Sequence, residues 1–266
     1  MQTRSAIVLA LLLATLAGPG GDHARAQGDG EQPAAQPTDL PQAESLFEAY
    51  IEAIGGREAL ARHQNRVLHG IYRIAANGDT QILTLYCETP NRLLAELEAP
   101  ALGTTIRATN GAVAWGTNAS GTPFRLDEAE TASFNDNAIF LNEAAYKERY
   151  KSIRTAGTAV FDGKNAYQVD FVTHSGLQGS IYFDAESKLV VGRQLKNAEG
   201  QGPLVLVTAY KEFEGVMLPT LQQQRFQDVQ TPSVDIEFRW VEVNVDDLPS
   251  FDPPAQLTAP TPAPGG

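Results

Sequence analysis

The stretch from Arg107 to Gly121, RATNGAVAWGTNASG, places Gly111 and Gly116 at the separation used by phosphate-cradling loops. Such a loop needs Gly-x-x-x-x-Gly-Lys-Ser/Thr and then a helix, so that a lysine and the helix N-terminal amides meet the anion. Thr117 stands where the lysine belongs, and Asn-Ala-Ser-Gly-Thr-Pro follows, a second turn. Nucleotide chemistry is excluded at this loop. Asn110-Gly111 reads instead as a two-residue hairpin turn, both residues at positive φ, between Ile106-Arg107-Ala108 and Val113-Ala114-Trp115. Asn118-Ala119-Ser120 also matches a glycosylation sequon, of consequence only in a eukaryotic source.

The other reactive side chains are thinly spread. His63, His69 and His174 show no helical i, i+4 pairing and have no cysteine beside them, which gives no support to a metal site. Ser175 follows His174 but lacks the Gly-x-Ser-x-Gly elbow of a hydrolase, and Gly176 after it marks a hairpin tip. Cys87 has no neighbouring positive charge in sequence to make it a thiolate, so it reads as a small buried hydrophobe. Asp170, Glu128, Glu130 and the Asp246-Asp247 pair could act as paired acids only across a sugar cleft, and otherwise belong to solvated strand faces and turns. No catalytic residue, metal or cofactor is expected.

These residues must be positioned by a mainly β chain. Residues 1–26 read as a secretory signal, with Arg4, an apolar run from Ala6 to Ala17 and Ala24-Arg25-Ala26 before Gln27. That run is shorter than the roughly 20 residues needed to span a bilayer. With no cysteine at the mature N-terminus to carry a lipid, the mature chain is expected to be periplasmic. One cysteine allows no internal disulfide, so the core alone must hold the fold. The formal net charge of −12 argues against nucleic acid or an anionic membrane surface as partner.

Composition divides the chain into a flexible linker at 27–41, one domain at 42–247 and a Pro-rich disordered tail at 248–266. In the domain, Leu46, Phe47, Tyr50, Ile51 and Ile54 recur at helical spacing until Gly55-Gly56 stops them, and a short helical turn, Arg57 to Arg62, follows. The period then becomes two. Strands are predicted at Val67–Ile74, Gln81–Glu88 after the Asn77-Gly78 turn, Arg92–Glu98, Thr104–Thr109, Ala112–Gly116, Ile153–Phe161, Ala166–Thr173, Gly179–Phe183, Leu189–Leu195, Leu204–Phe213, Thr220–Asp228 and Ser233–Val245. In the last of these the apolar parity changes, which predicts a β-bulge at Trp240-Val241 and a sheet that curves. Asp127 to Tyr150 interrupts the strands as one or two helices, either ordinary cover for a sheet face or a lid over a cavity mouth.

The phrases AYIEAIGGREAL, YCETPNRLLAE, TNGAVAW, VFDGKNAYQVDF, YFDAESKLVVG and FEGVMLPTL, spread from about Ala43 to Phe251, together resemble the periplasmic outer-membrane lipoprotein-sorting proteins, the LolA-like and LolB-like group. The resemblance implies a strongly curved antiparallel sheet forming an incomplete, unclosed β-barrel covered by helices, with an apolar concavity that holds acyl chains. It implies a non-enzymatic periplasmic carrier or sensor of acyl chains, lipid or lipoprotein, acting as a monomer beside a membrane-anchored donor or acceptor. No arginine matches the one that closes the lid of the classical carriers; Arg73 and Arg107 are the strand arginines on offer. Strand parity nominates Leu83, Leu85, Ile106, Val113, Trp115, Tyr167, Val169, Phe171, Phe238 and Trp240 as pocket residues, which either line an open cavity or fill the core of an envelope interaction module.

Overall fold

A computed structural model describes residues 40–100, 103–196, 202–226 and 233–258. The expected signal at 1–26, nearly all of the linker and residues 259–266 lie outside them.

Helices α1 (Ala43–Ala53) and α2 (Gly56–Arg62) precede the sheet. The apolar stripe of α1 is buried, and Gly55 ends it at φ 119°. A Cβ at Gly55 would sit 2.1 Å from the Gly215 carbonyl oxygen, so the helix corner needs glycine there to lie against the sheet. The Met217 amide donates to the Ile54 carbonyl at 2.9 Å across the same contact.

The first meander runs β1 (Asn65–Ile74), β2 (Thr80–Glu88), β3 (Arg92–Ala99), β4 (Gly103–Thr109), β5 (Ala114–Thr117) and β6 (Pro123–Arg125). A helical segment follows: α3 (Glu128–Asn137), a 3₁₀ turn (Asn142–Ala145) and α4 (Tyr146–Arg149). The second meander is β7 (Tyr150–Phe161), β8 (Lys164–Thr173), β9 (Gln178–Asp184), β10 (Val190–Lys196), β11 (Leu204–Phe213), β12 (Val216–Arg225) and β13 (Val234–Val243), with α5 (Ala255–Thr258) after it. The described residues thus form one antiparallel sheet in the order β6-β5-β4-β3-β2-β1-β13-β12-β11-β10-β9-β8-β7. It is open, with β6 and β7 as edges. Because consecutive strands β6 and β7 lie at opposite edges, the helical segment joining them must cross the whole sheet. It does so over the concave face.

Curvature comes from irregular pairing. Arg239 is the extra residue where His69 faces Trp240 but Gly70 faces Phe238, and further register shifts interrupt β7/β8, β9/β10 and β11/β12. The predicted bulge therefore exists but lies at Arg239-Trp240, just before the expected pair. The turn at Asn110-Gly111 also differs from expectation. Only Gly111 has positive φ, and the Asn110 side-chain oxygen accepts from the amides of Ala112 and Val113, so a four-residue Asx turn replaces the two-residue one. Strand β6 has no counterpart among the predicted strands; three residues beginning at a proline carry no period to detect.

The concavity is filled on one side only. Over the second meander Phe47 of α1 stacks on Tyr146 at 4.7 Å and meets Phe183 edge-on at 5.0 Å, within a cluster that includes Ile51, Val169 and Ile181. The convex side of β3 to β6 is covered as well. There Trp115 packs with Leu94, Ala108 and Phe251, and its indole donates to the Phe251 carbonyl at 3.0 Å. Asn110 reaches Asp252 at 2.9 Å, and Arg125 reaches the Leu257 carbonyl at 2.7 Å. Residues 248–258, expected as disordered tail, thus form a strap that carries the packed chain beyond 247.

Candidate functional site

Over the first meander the concave face is left uncovered by α1, and a cavity of about 210 Å³ remains beneath the helical segment. Its floor follows strand alternation. Leu68 and Tyr72 of β1, Leu83 and Leu85 of β2, Leu93, Ala95 and Leu97 of β3, and Ile236 and Phe238 of β13 all point into it. Phe171 of β8, Leu195 of β10, Val205 of β11 and Leu218 of β12 close the far wall, and Phe140 comes from the roof.

The roof is tied down at both sides. Asp127 and Glu130 form a reciprocal capping box that starts α3, with bonds of 2.7 and 3.1 Å. At its other end, Asn135 accepts from the Thr109 hydroxyl at 2.6 Å and donates to the Gly111 carbonyl at 3.3 Å. Its neighbour Asp136 accepts from Ser175 on the β8–β9 hairpin tip. The Phe140 amide donates to the Pro90 carbonyl at 3.0 Å. The end of α3 therefore bridges two hairpin tips from opposite halves of the sheet.

Polar and charged side chains line the cavity as well: Arg66, Arg149, Arg193 and Asp136, with Asn137, Asn142, Thr173, Gln222 and Gln224. Glu143, fully packed in the 3₁₀ turn, lies 2.9 Å from Arg193 and 3.4 Å from Arg149. Burial acts to raise its carboxyl, but the two guanidinium groups outweigh that and hold it below the ordinary range. Arg66 is different. It is buried, its Nε donates to His63 Nδ1 at 3.0 Å, and its guanidinium stacks over Phe140 at 4.6 Å. Burial pushes its pKa down to about 10, which leaves it charged at neutral pH. Beside it, burial pushes the Cys87 thiol up to about 12 despite the opposing pull of Arg66.

Of the ten residues nominated by strand parity, Leu83, Leu85, Phe171 and Phe238 line this cavity. Tyr167 and Val169 belong to the filled side under α1. Ile106 and Trp115 lie on the convex face under the 248–258 strap, and Val113 sits in the turn before β5. Trp240 is 58% exposed and stacks on His69 at 4.9 Å, because the extra residue Arg239 turns it outward. Neither nominated arginine touches the roof by an ion pair among the described residues: Arg73 is exposed, and Arg107 lies over Phe124 at 4.7 Å. The arginines at the cavity are Arg149, at the end of α4 in the roof, and Arg66 and Arg193 on strands β1 and β10, whose local pattern gives no sign of them.

The carboxylates considered for catalysis are occupied or apart. Glu130 caps α3, Asp170 accepts from Ser180 at 2.7 Å and from Gln168 at 2.9 Å, and Asp246 and Asp247 are exposed. Among the described residues no group of three or more His, Cys, Asp or Glu side chains gathers as metal ligands. Nor is any helix there long and apolar enough to cross a membrane.

No protein-family model and no curated protein sequence matches this chain. Solved structures do resemble it in three dimensions. A DUF1329 family protein from Desulfovibrio piger superposes with a TM-score of 0.58 at 11% identity, over 77% of this chain and 94% of that one. A LolA superfamily protein from Nitrosomonas europaea gives 0.58 at 12% identity, over 79% and 96%. A putative outer membrane lipoprotein-sorting protein domain from Vibrio parahaemolyticus gives 0.53 at 11% identity, over 76% and 95%. The shared fold is the open, curved LolA-like sheet.

Proposed function

We propose that this protein is a non-enzymatic periplasmic carrier or sensor that takes an acyl chain, from lipid or lipoprotein, onto the apolar concave face beneath the α3–α4 roof. The observation that carries the reading is the unfilled cavity bounded by Leu83, Leu85, Leu97 and Phe238. Apolar side chains that served only as core would close on one another, as they do under α1. Each CH₂ moved from water into such a wall is worth about 0.8 kcal/mol, so even part of a chain gives useful affinity. At about 210 Å³ the closed cavity lies below the roughly 300–1,000 Å³ of ordinary ligand sites. A complete chain therefore requires the α3 end of the roof to lift, where the polar ties at Asn135, Asp136 and Phe140 are few, while Glu143 stays paired with Arg193.

The likeness in fold to a lipoprotein-sorting domain and a LolA superfamily protein supports this reading, as does the secretory character of residues 1–26. The competing view, an envelope interaction module with a solid interior, fits the filled side under α1 but leaves the cavity without a purpose. Native mass spectrometry of protein isolated from its own periplasm tests the proposal, together with uptake of a fluorescent fatty acid by delipidated protein. An acyl-bearing adduct and saturable uptake are expected. Adduct-free protein that also takes up no fatty acid would end the carrier reading.

A further inference from the structure

We infer that the cargo of this cavity is a single-chain amphiphile with a monoanionic head, whose charge is received by Arg66 while the chain lies along Leu83, Leu85 and Leu97. The inference rests on reading the concavity as an acyl-chain site, and adds the class of head group.

Arg66 is 94% removed from solvent, since its relative exposure is 6%. Its Nη2 is buried without a hydrogen-bond partner, and no ion pair to it exists among the described residues. A buried guanidinium nitrogen without an acceptor costs about 1–3 kcal/mol or more, and native proteins rarely leave one without a reason. Its other contacts cannot discharge it. His63 offers only a neutral ring nitrogen, and the Phe140 ring only a weak π face. A second orphan faces the same space: Arg149 also lines the cavity, and its Nε lacks a partner although its terminal nitrogens bind Asn137, Asn142 and Glu143.

Charge balance sets the valence of the ligand. Arg66, Arg149 and Arg193 stand against Asp136 and Glu143, which leaves one positive charge uncompensated in a chain whose overall charge is −12. A carboxylate or other monoanion matches that excess. Arginine also suits a carboxylate geometrically, because its planar N–H groups can donate to both oxygens. The volume favours one chain: a cavity of about 150 Å³ holds a benzene ring, so about 210 Å³ admits part of one chain and not two or three side by side.

Calorimetric titration of the delipidated full chain at neutral pH with decanoate, decanol and decylamine tests this. Decanoate is expected to bind at least tenfold more tightly than decanol, with decylamine weakest, and Arg66→Met should bring the decanoate-to-decanol ratio close to one. Equal binding of acid and alcohol by the wild-type protein, or preference for the amine, overturns the head-group assignment and leaves the acyl-chain reading standing. Failure of all three to bind overturns both. Should Arg66→Met not fold, carboxyl-¹³C decanoate bound to the wild-type protein gives an independent answer. Its titration midpoint should fall by one pH unit or more against the free acid, whereas a rise, as for a carboxyl in apolar surroundings, refutes the inference.

Discussion

Glu143 in the roof lies 2.9 Å from Arg193 on β10, so an ion pair between a buried carboxylate and a partly buried guanidinium links the helical segment to the second meander. Arg149 shares the same carboxylate at 3.4 Å. Glu143→Gln would leave two guanidinium groups facing an amide in a poorly solvated place, and removing one partner of a buried pair costs about 3–5 kcal/mol. The pH dependence follows from the sign of the shift. Because the folded protein holds this carboxyl below its ordinary 4.5, its contribution is complete above that pH and is lost as pH falls through the folded value. Urea midpoints measured from pH 7 to pH 3 should show a large deficit for the variant at pH 7 and a smaller acid loss than wild type. A variant within about 0.5 kcal/mol of wild type at pH 7 would show that the pair holds nothing.

Asn135 should govern opening of the roof rather than global stability. Its bonds to Thr109 and Gly111 are local and partly solvated, so Asn135→Ala is expected to cost about 1 kcal/mol. That loss falls on roof closure, so amide hydrogen exchange in residues 128–149 should accelerate several-fold while exchange in β1 to β3 stays unchanged. Uniform acceleration across the sheet would mean that the roof and sheet open as one unit.

The two tryptophans report separately on the strap and the bulge. Trp115 is buried against Phe251, and Trp240 is exposed, so Trp240→Phe should leave a blue-shifted emission from Trp115 alone. In that background Phe251→Ala should shift the emission to the red and cost about 3–5 kcal/mol, the ordinary penalty for emptying a phenylalanine site. An unchanged spectrum would mean that residues 248–258 do not cover the convex face in solution.

His63 offers a check on the tautomer beneath the cavity. Since Arg66 Nε is always a donor, His63 Nδ1 must accept, and its Nε2–H then donates to the Glu214 carbonyl at 3.2 Å. Burial, with Arg66 adding to it, holds the imidazole below its ordinary 6.5. The neutral ring thus stabilises the fold fully above pH 6.5, and that contribution falls as pH drops from there toward the folded value. Nitrogen-resolved NMR should show Nδ1 unprotonated at pH 7 with a titration midpoint under 6.5; a midpoint above it would refute the pairing.

The strands were legible in the sequence because alternation is a local signal: β1 to β5 and β7 to β13 appear within a few residues of their predicted ends, apart from the predicted end of β12 at Asp228, which lies outside the described residues. Which apolar face turns inward was less legible. Ile106 and Trp115 read as pocket residues because a strand covered on both sides offers apolar groups at both parities, and the cover came from residues that looked like tail. Trp240 was misplaced by one extra residue, enough to reverse every side chain after it. The roof ties and the Glu143 cluster were invisible because they join residues far apart in sequence, Thr109 with Asn135 and Asp136 with Ser175, through single polar contacts that leave no periodic trace.

Cys87 provides a native probe of the cavity, since it lines the wall beside Arg66. With the thiol pushed up to about 12, its thiolate fraction at pH 8 is roughly three orders of magnitude below that of a free cysteine, whose pKa is about 8.5. Alkylation by iodoacetamide should therefore be much slower than for a free cysteine, and slower still with any barrier to entry. Roof opening restores solvent around the sulfur, so Asn135→Ala should speed the reaction, and a bound chain should slow it again by occupying the same wall. Decanoate that left the rate of both proteins unchanged while binding by calorimetry would place the chain elsewhere than along Leu83 and Leu85.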